Sequence, residues 1–151
     1  MIEYNEEKFE EVIEELKPLL NDHYEEIAIY QDKIDLNPNY EMYKALEDLG
    51  SLHVLTARDG GKLVGYCVTF IQPHPHYIDH LFAANDILYI MPDYRHTELA
   101  PNMLNVLEEI MKEKEVSVMT FHMKTYKPFE TLMDFLAFEK AEHLYTKYIG
   151  E

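Results

Sequence analysis

Asp86-Ile87-Leu88-Tyr89-Ile90-Met91-Pro92-Asp93-Tyr94-Arg95 is the stretch on which the reading of this chain turns. Its apolar run from Asp86 to Met91 has the length of a buried strand, and Pro92 stops it. Arg95 leads into the short loop His96-Thr97-Glu98-Leu99-Ala100. Pro101 then opens an amphipathic helix reaching Lys114, with Leu104, Leu107, Ile110 and Met111 on its apolar side. Strand, short loop, helix is a geometry that presents backbone N–H groups and a positive helix end to an anion.

Working outward, Val116 to Met123 reads as a further strand. Pro128 suits the first position of a helix bearing Phe129, Leu132, Met133 and Leu136. Ala137-Phe138-Glu139 turns into a last extended segment through Tyr145 and Tyr148. Upstream, Leu52 to Ala57 and Leu63 to Ile71 are strands joined by the hairpin turn Asp59-Gly60-Gly61. Gln72-Pro73-His74-Pro75-His76-Tyr77, with two prolines, predicts irregular structure. At the start, Met1-Ile2-Glu3-Tyr4 runs straight into an acidic helix with Phe9, Val12, Ile13 and Leu16 at helical spacing. Pro18 is expected to end or kink it, with Asn21 or Asp22 capping a second helix that carries Tyr24, Ile27 and Ala28 inward. Asn37-Pro38-Asn39 is a turn, and Tyr40 to Leu49 a helix stopped by Gly50. The expectation is one α/β domain over 1–151, built around a single mixed sheet.

Composition narrows the function. A chain of 151 residues, 47% apolar with 12 Tyr and 7 Phe, can build a core without disulfides or metal. A single cysteine, Cys67, permits no internal disulfide and suits a reducing cytoplasm. No leader-like start and no apolar run near the ~20 residues of a membrane span is apparent, so a soluble, cytoplasmic protein is expected. The net charge of −16 argues against nucleic-acid and anionic-membrane binding, both of which need a cationic face. It serves solubility, attracts a basic partner or mimics DNA.

The spacing Leu88-x-Ile90-x-Pro92-x-Tyr94-Arg95, with the preceding hairpin, the central helix and the terminal Ala137-Phe138 block, resembles the GCN5-related N-acetyltransferase (GNAT) family. The resemblance covers most of the chain from about Leu52 onward, and the layout looks like the small acetyltransferase-like proteins of tailed bacteriophages. It implies a mixed, mostly antiparallel sheet splayed at its centre, with helices on both faces. It also implies acetyl-CoA as co-substrate, no metal, and a small-molecule or protein amine as acceptor. The splay is then expected after Ile90, with the backbone of Leu88, Tyr89 and Ile90 meeting the pantetheine arm. The pyrophosphate would sit against His96, Thr97, Glu98, Leu99, Ala100 and Pro101, and homodimers are a common form. Arg95 takes the first position of the family's Gln/Arg-x-x-Gly-x-Gly/Ala signature and Ala100 the last, whereas Glu98 replaces the first glycine. A positive φ there would cost on the order of 1 kcal/mol. A carboxylate ~6 Å from a phosphate charge would cost roughly 2–3 kcal/mol at an effective dielectric near 20. The tyrosine that many members use to protonate the departing thiolate falls on Met133, which has no proton to give. The asparagine often found ahead of that last helix falls near Tyr126.

Amine acetylation needs a base with a pKa near the working pH. His122, alternating with Thr120 and Lys124 on the predicted strand, is the first candidate, against the alternative of a half-buried structural histidine. Asp86 is the second, acting through water, or else a plain strand-start carboxylate. Tyr145 is a replacement acid or a packing residue. Arg95 and Lys124 are the cations assigned to phosphate, or ordinary surface ion pairs. His74, His76 and His80 with Asp79 lack the cysteines and fixed scaffold of a structural zinc site, and Cys67 reads as a small buried hydrophobe. Two functions stand: an acyl-CoA-dependent N-acyltransferase, or a degenerate GNAT fold binding a basic protein partner.

Overall fold

Alternation along the first hairpin sorts the apolar side chains into two layers. In the computed structural model, which describes residues 1–151, strands β1 (Ile2–Glu6), β2 (Leu52–Asp59), β3 (Lys62–His74), β4 (Tyr77–Ile90) and β5 (Val116–Thr120) form one sheet in sequence order. All neighbours are antiparallel except β4 and β5, which run parallel. Leu55, Ala57, Val64, Cys67 and Ile71 face helices α3 (Leu99–Glu113) and α4 (Glu130–Phe135), which contribute Met103, Leu107, Met111 and Met133. Leu52, Val54, Tyr66 and Val68 face α1 (Phe9–Ile27), which contributes Phe9, Val12 and Leu16, and the side chains of α2 (Tyr40–Asp48) pack beside them. The α/β fold with helices on both faces of a mixed sheet is therefore as expected. Gly60 and Gly61, at φ 56° and 85°, make the tight turn between β2 and β3 that L side chains strain to adopt. Cys67 is fully buried on β3, and burial pushes its thiol up to about 12. No helix is long and apolar enough to cross a membrane.

The structure departs from the sequence reading at five places. The first residues form β1, held by pairing with β2 rather than by any strong pattern of their own. Pro18 neither ends nor splits α1: Leu16, Leu19 and Leu20 pack on either side of it, so one helix runs to Ile27. Gln72, Pro73 and His74 belong to β3, beyond the last β2 partner at Leu52↔Phe70, where β3 is an edge and proline is tolerated. Pro75 and His76 make a two-residue turn, and β4 begins at Tyr77. β5 ends at Thr120 rather than Met123. The segment after Phe138 forms no strand, leaving Leu144, Tyr145 and Ile149 more than four-fifths exposed.

Candidate functional site

The site begins with one surplus residue. Thr69 pairs with Asn85 and Val68 with Ile87, so Asp86 is an extra residue in β4, a β-bulge. The bulge switches which residues face which layer: Ala83 faces the α3 side before it, Leu88 and Ile90 after it. Asp86 and Ile87 consequently both face α1 and α2, and the Tyr43 hydroxyl of α2 donates to Asp86 Oδ2 at 2.6 Å. Pairing between β4 and β5 stops at Ala84↔Thr120. From Asn85 to Ile90 the outer edge of β4 has no strand beside it, so the splay opens at the bulge and not after Ile90 as the sequence implied.

Across this opening stands His122, two residues past the end of β5 and exposed. Partial burial, then Lys124, lowers its pKa, while Asp86 opposes. Burial raises the pKa of Asp86 against the Tyr43 hydrogen bond and His122. Burial thus biases both groups toward their neutral forms, while their mutual attraction opposes it. Burial, then Asp86, raises the Tyr43 phenol, which stays a donor.

The loop before α3 supplies the anion end. The backbone N–H groups of His96, Thr97, Glu98 and Ala100 donate to no protein acceptor. The Thr97 hydroxyl donates to the Tyr94 carbonyl at 2.6 Å and accepts from the Leu99 N–H at 3.2 Å, which fixes the turn. Glu98 sits at φ −75°, so the strain expected of it does not arise; the positive φ of 60° falls on His96. Its exposed carboxylate acts on Tyr4 of β1, whose phenol it helps to raise after burial. Because α3 starts at Leu99, Pro101 is the third helical residue, where the missing N–H leaves no intrahelical bond unmade. Arg95 is already occupied: it grips Glu26 of α1 at 2.6 and 2.9 Å, donates from Nε to the Ile90 carbonyl at 2.7 Å and lies over the Tyr89 ring. Lys124 makes no ion pair and lowers the pKa of His23 on α1 after burial and Arg95.

Sequence reasoning missed Glu26, Tyr43 and Tyr66, because pairings between distant residues leave no local signal. Tyr145 is not brought to this group; it stands 90% exposed on the terminal segment. Met133 is buried under α3. Tyr126 reaches α1 instead, donating to the Ile27 carbonyl. His74 packs at a tilt against Tyr77 and Phe82 at the hairpin tip, and His80 meets Ser117.

A family model described as the acetyltransferase (GNAT) family matches residues 10–136. The chain matches no curated protein sequence. Among solved structures, a transcriptional regulator from Bacillus halodurans is 15% identical, with 98% of this chain and 100% of that one covered and a TM-score of 0.78. An aminoglycoside acetyltransferase from an uncultured soil sample is 14% identical over 100% and 99% of the two chains, with a TM-score of 0.76. A predicted acetyltransferase of Clostridium acetobutylicum, solved with acetyl-CoA, is 11% identical over 99% and 97%, with a TM-score of 0.73. At these identities the likeness is one of fold.

Proposed function

The chain belongs to the acetyltransferase (GNAT) family, and from that premise we propose that it is an acetyl-CoA-dependent N-acetyltransferase acting by direct attack in a ternary complex. The observation that supports the reading is the Asp86 bulge, beyond which the edge of β4 is bare; Asp86 and His122 are the titratable groups we assign to the amine proton there. The amine nitrogen bonds to the acyl carbon, the C–S bond breaks, and the amine proton goes to Asp86 or His122. Outward backbone N–H groups between Asn85 and Ile90 orient the thioester. The free amides of His96, Thr97, Glu98 and Ala100 face the pyrophosphate, with the dipole of the 15-residue α3 behind them. Neither Met133 nor Tyr145 supplies an acid for the thiolate in this reading; His122, once protonated, is the group at hand. The single buried Cys67 favours a reducing cytoplasm as its setting, a bacterial host's if the chain is phage-borne.

Titrating acetyl-CoA while following the melting temperature tests this. At 100 times its Kd a ligand adds about 2.7 kcal/mol, which for a domain of this size is a rise of about 5–10 °C. No rise at millimolar acetyl-CoA sinks the reading. The second reading, a binding module with a basic protein partner, is favoured by one observation: Arg95 is committed to Glu26 rather than free for phosphate. It predicts no acetyl-CoA response and a partner complex that dissociates at high salt.

The Arg95–Glu26 pair separates the cofactor contacts by sign. Glu26→Gln removes a carboxylate and frees a cation near the phosphates, and acetyl-CoA affinity is expected to rise by about threefold to tenfold. Arg95→Gln leaves Glu26 unpaired there and is expected to lower it by a similar factor. Calorimetric titration of both variants measures this, and a shift in the same direction for both would remove Arg95 from the phosphate site.

A further inference from the structure

Between α1, α2 and the sheet lies a cavity of about 280 Å³ whose walls are almost wholly apolar. Leu16, Tyr24, Tyr40 and Val68 line it, and Ile34 to Pro38 of the α1–α2 connection form one wall. That wall is tied down where the Tyr24 hydroxyl donates to the Ile34 carbonyl. Tyr43 and Ile87 line the same cavity; Ile87 follows Asp86 in the bulge and the Tyr43 hydroxyl donates to the Asp86 carboxylate, so the wall of the cavity adjoins Asp86. Tyr66 is a further lining residue, fully buried, and its hydroxyl has no hydrogen-bond partner. An orphaned buried hydroxyl costs free energy that a bound polar group recovers.

We propose that this cavity is the acceptor site and that it takes a primary amine carrying one apolar ring on a short chain; the proposal rests on the N-acetyltransferase reading. Size is the first argument. The cavity lies just below the roughly 300–1,000 Å³ of ligand pockets, enough for one ring and too little for an oligosaccharide. Polarity is the second. Beyond the Tyr hydroxyls, Asp35 and Asn37, the walls offer nothing to a polyol, whose hydroxyls would be buried unpaired. Charge is the third. An amine approaches as a cation, and a chain of net charge −16 with Asp35 in the cavity wall and Asp86 behind the lining Tyr43 draws it in. Tyrosine faces attract the ammonium on its way. There the ammonium donates a hydrogen bond to the Tyr66 hydroxyl oxygen and loses a proton to Asp86 or His122, which frees its lone pair. Its nitrogen then bonds to the acyl carbon of acetyl-CoA as the C–S bond breaks.

The test compares 2-phenylethylamine with glucosamine on the full-length chain, by melting temperature without acetyl-CoA and by thiol release with it. The expected result is a saturable rise with 2-phenylethylamine alone, and a kcat/KM at least 100-fold above that for glucosamine. Ile34→Trp, a wall residue half exposed and outside the core, should lower kcat/KM for 2-phenylethylamine at least tenfold while the acetyl-CoA shift is unchanged. Tyr66→Phe should raise the stability of the free protein and weaken amine binding. Acetylation of glucosamine with no response to 2-phenylethylamine overturns the proposal, as does an Ile34→Trp variant indistinguishable from the parent. A saturable, Ile34-dependent shift with no thiol release supports the cavity's ligand class and counts against the acetyltransferase reading instead.

Discussion

Asp86→Asn is expected to lower kcat/KM for acetyl transfer by about 10²–10⁴-fold and to leave the protein at least as stable as before. The two effects have one origin. The folded protein holds the Asp86 carboxyl above its ordinary value because it is partly buried, so folding favours the protonated form. Stability from this group is fully present below the unfolded carboxyl pKa and is lost as pH rises through the folded one. At neutral pH the ionised Asp86 is therefore a standing cost, which asparagine removes while still accepting the Tyr43 hydrogen bond. His122 titrates with the opposite sign: its folded pKa is lowered, so stability is lost as pH falls from the ordinary histidine range through the folded value. Denaturant unfolding at pH 4 and pH 7 should show the stability advantage of Asp86→Asn at the higher pH only. The acid limb of the pH–rate profile should report the pair as coupled groups. A variant retaining activity within tenfold of the parent would take Asp86 out of the chemistry.

Arg58→Ala is expected to produce the largest loss of stability among single charge deletions, about 2–4 kcal/mol, or roughly 5–15 °C in Tm. Arg58 is 14% exposed and reaches three elements at once. It bonds Glu7 at 2.9 and 3.1 Å, Glu15 of α1 at 2.8 and 3.0 Å, and the Gly61 carbonyl of the β2–β3 turn at 2.9 Å. Glu7 also accepts from Thr56, so deleting the guanidinium strands a shielded carboxylate beside a second one. Half of the Glu15 side chain is in water, which keeps the figure below that of a fully buried triad. In a chain with 29 acidic and 13 basic side chains few other cations are at hand to compensate. Lysine in its place keeps the charge but not the fork that holds two carboxylates. Equilibrium unfolding of both variants measures this, and a loss below 1 kcal/mol for Arg58→Ala would show that packing alone fixes α1 on the sheet.

What the chain discloses on its own is what depends on neighbouring residues. The β2–β3 hairpin and the α3 face are written locally, in a Gly-Gly turn and a 3.6-residue repeat, and both stand nearly as read. β1 has little pattern and exists because β2 offers an edge. The Asp86 bulge is invisible along β4 alone, since a surplus residue is defined only against a partner strand. Arg95 could be placed by its motif, but its commitment to Glu26 joins residues 69 apart. The same holds for Tyr43 and Asp86, 43 apart. Backbone geometry also corrected chemistry: the residue replacing glycine turned out to need no glycine conformation.

Cys67 gives the protein an experimental handle. As the one thiol of the chain, sealed in the central strand with its pKa at about 12, it is silent toward thiol reagents while the sheet is closed. Any cysteine introduced at the surface would then be the sole point of labelling, and a dye on the Ile34 wall would report that wall alone. Under mild denaturant the order reverses, and the rate at which Cys67 is modified counts the openings of β3.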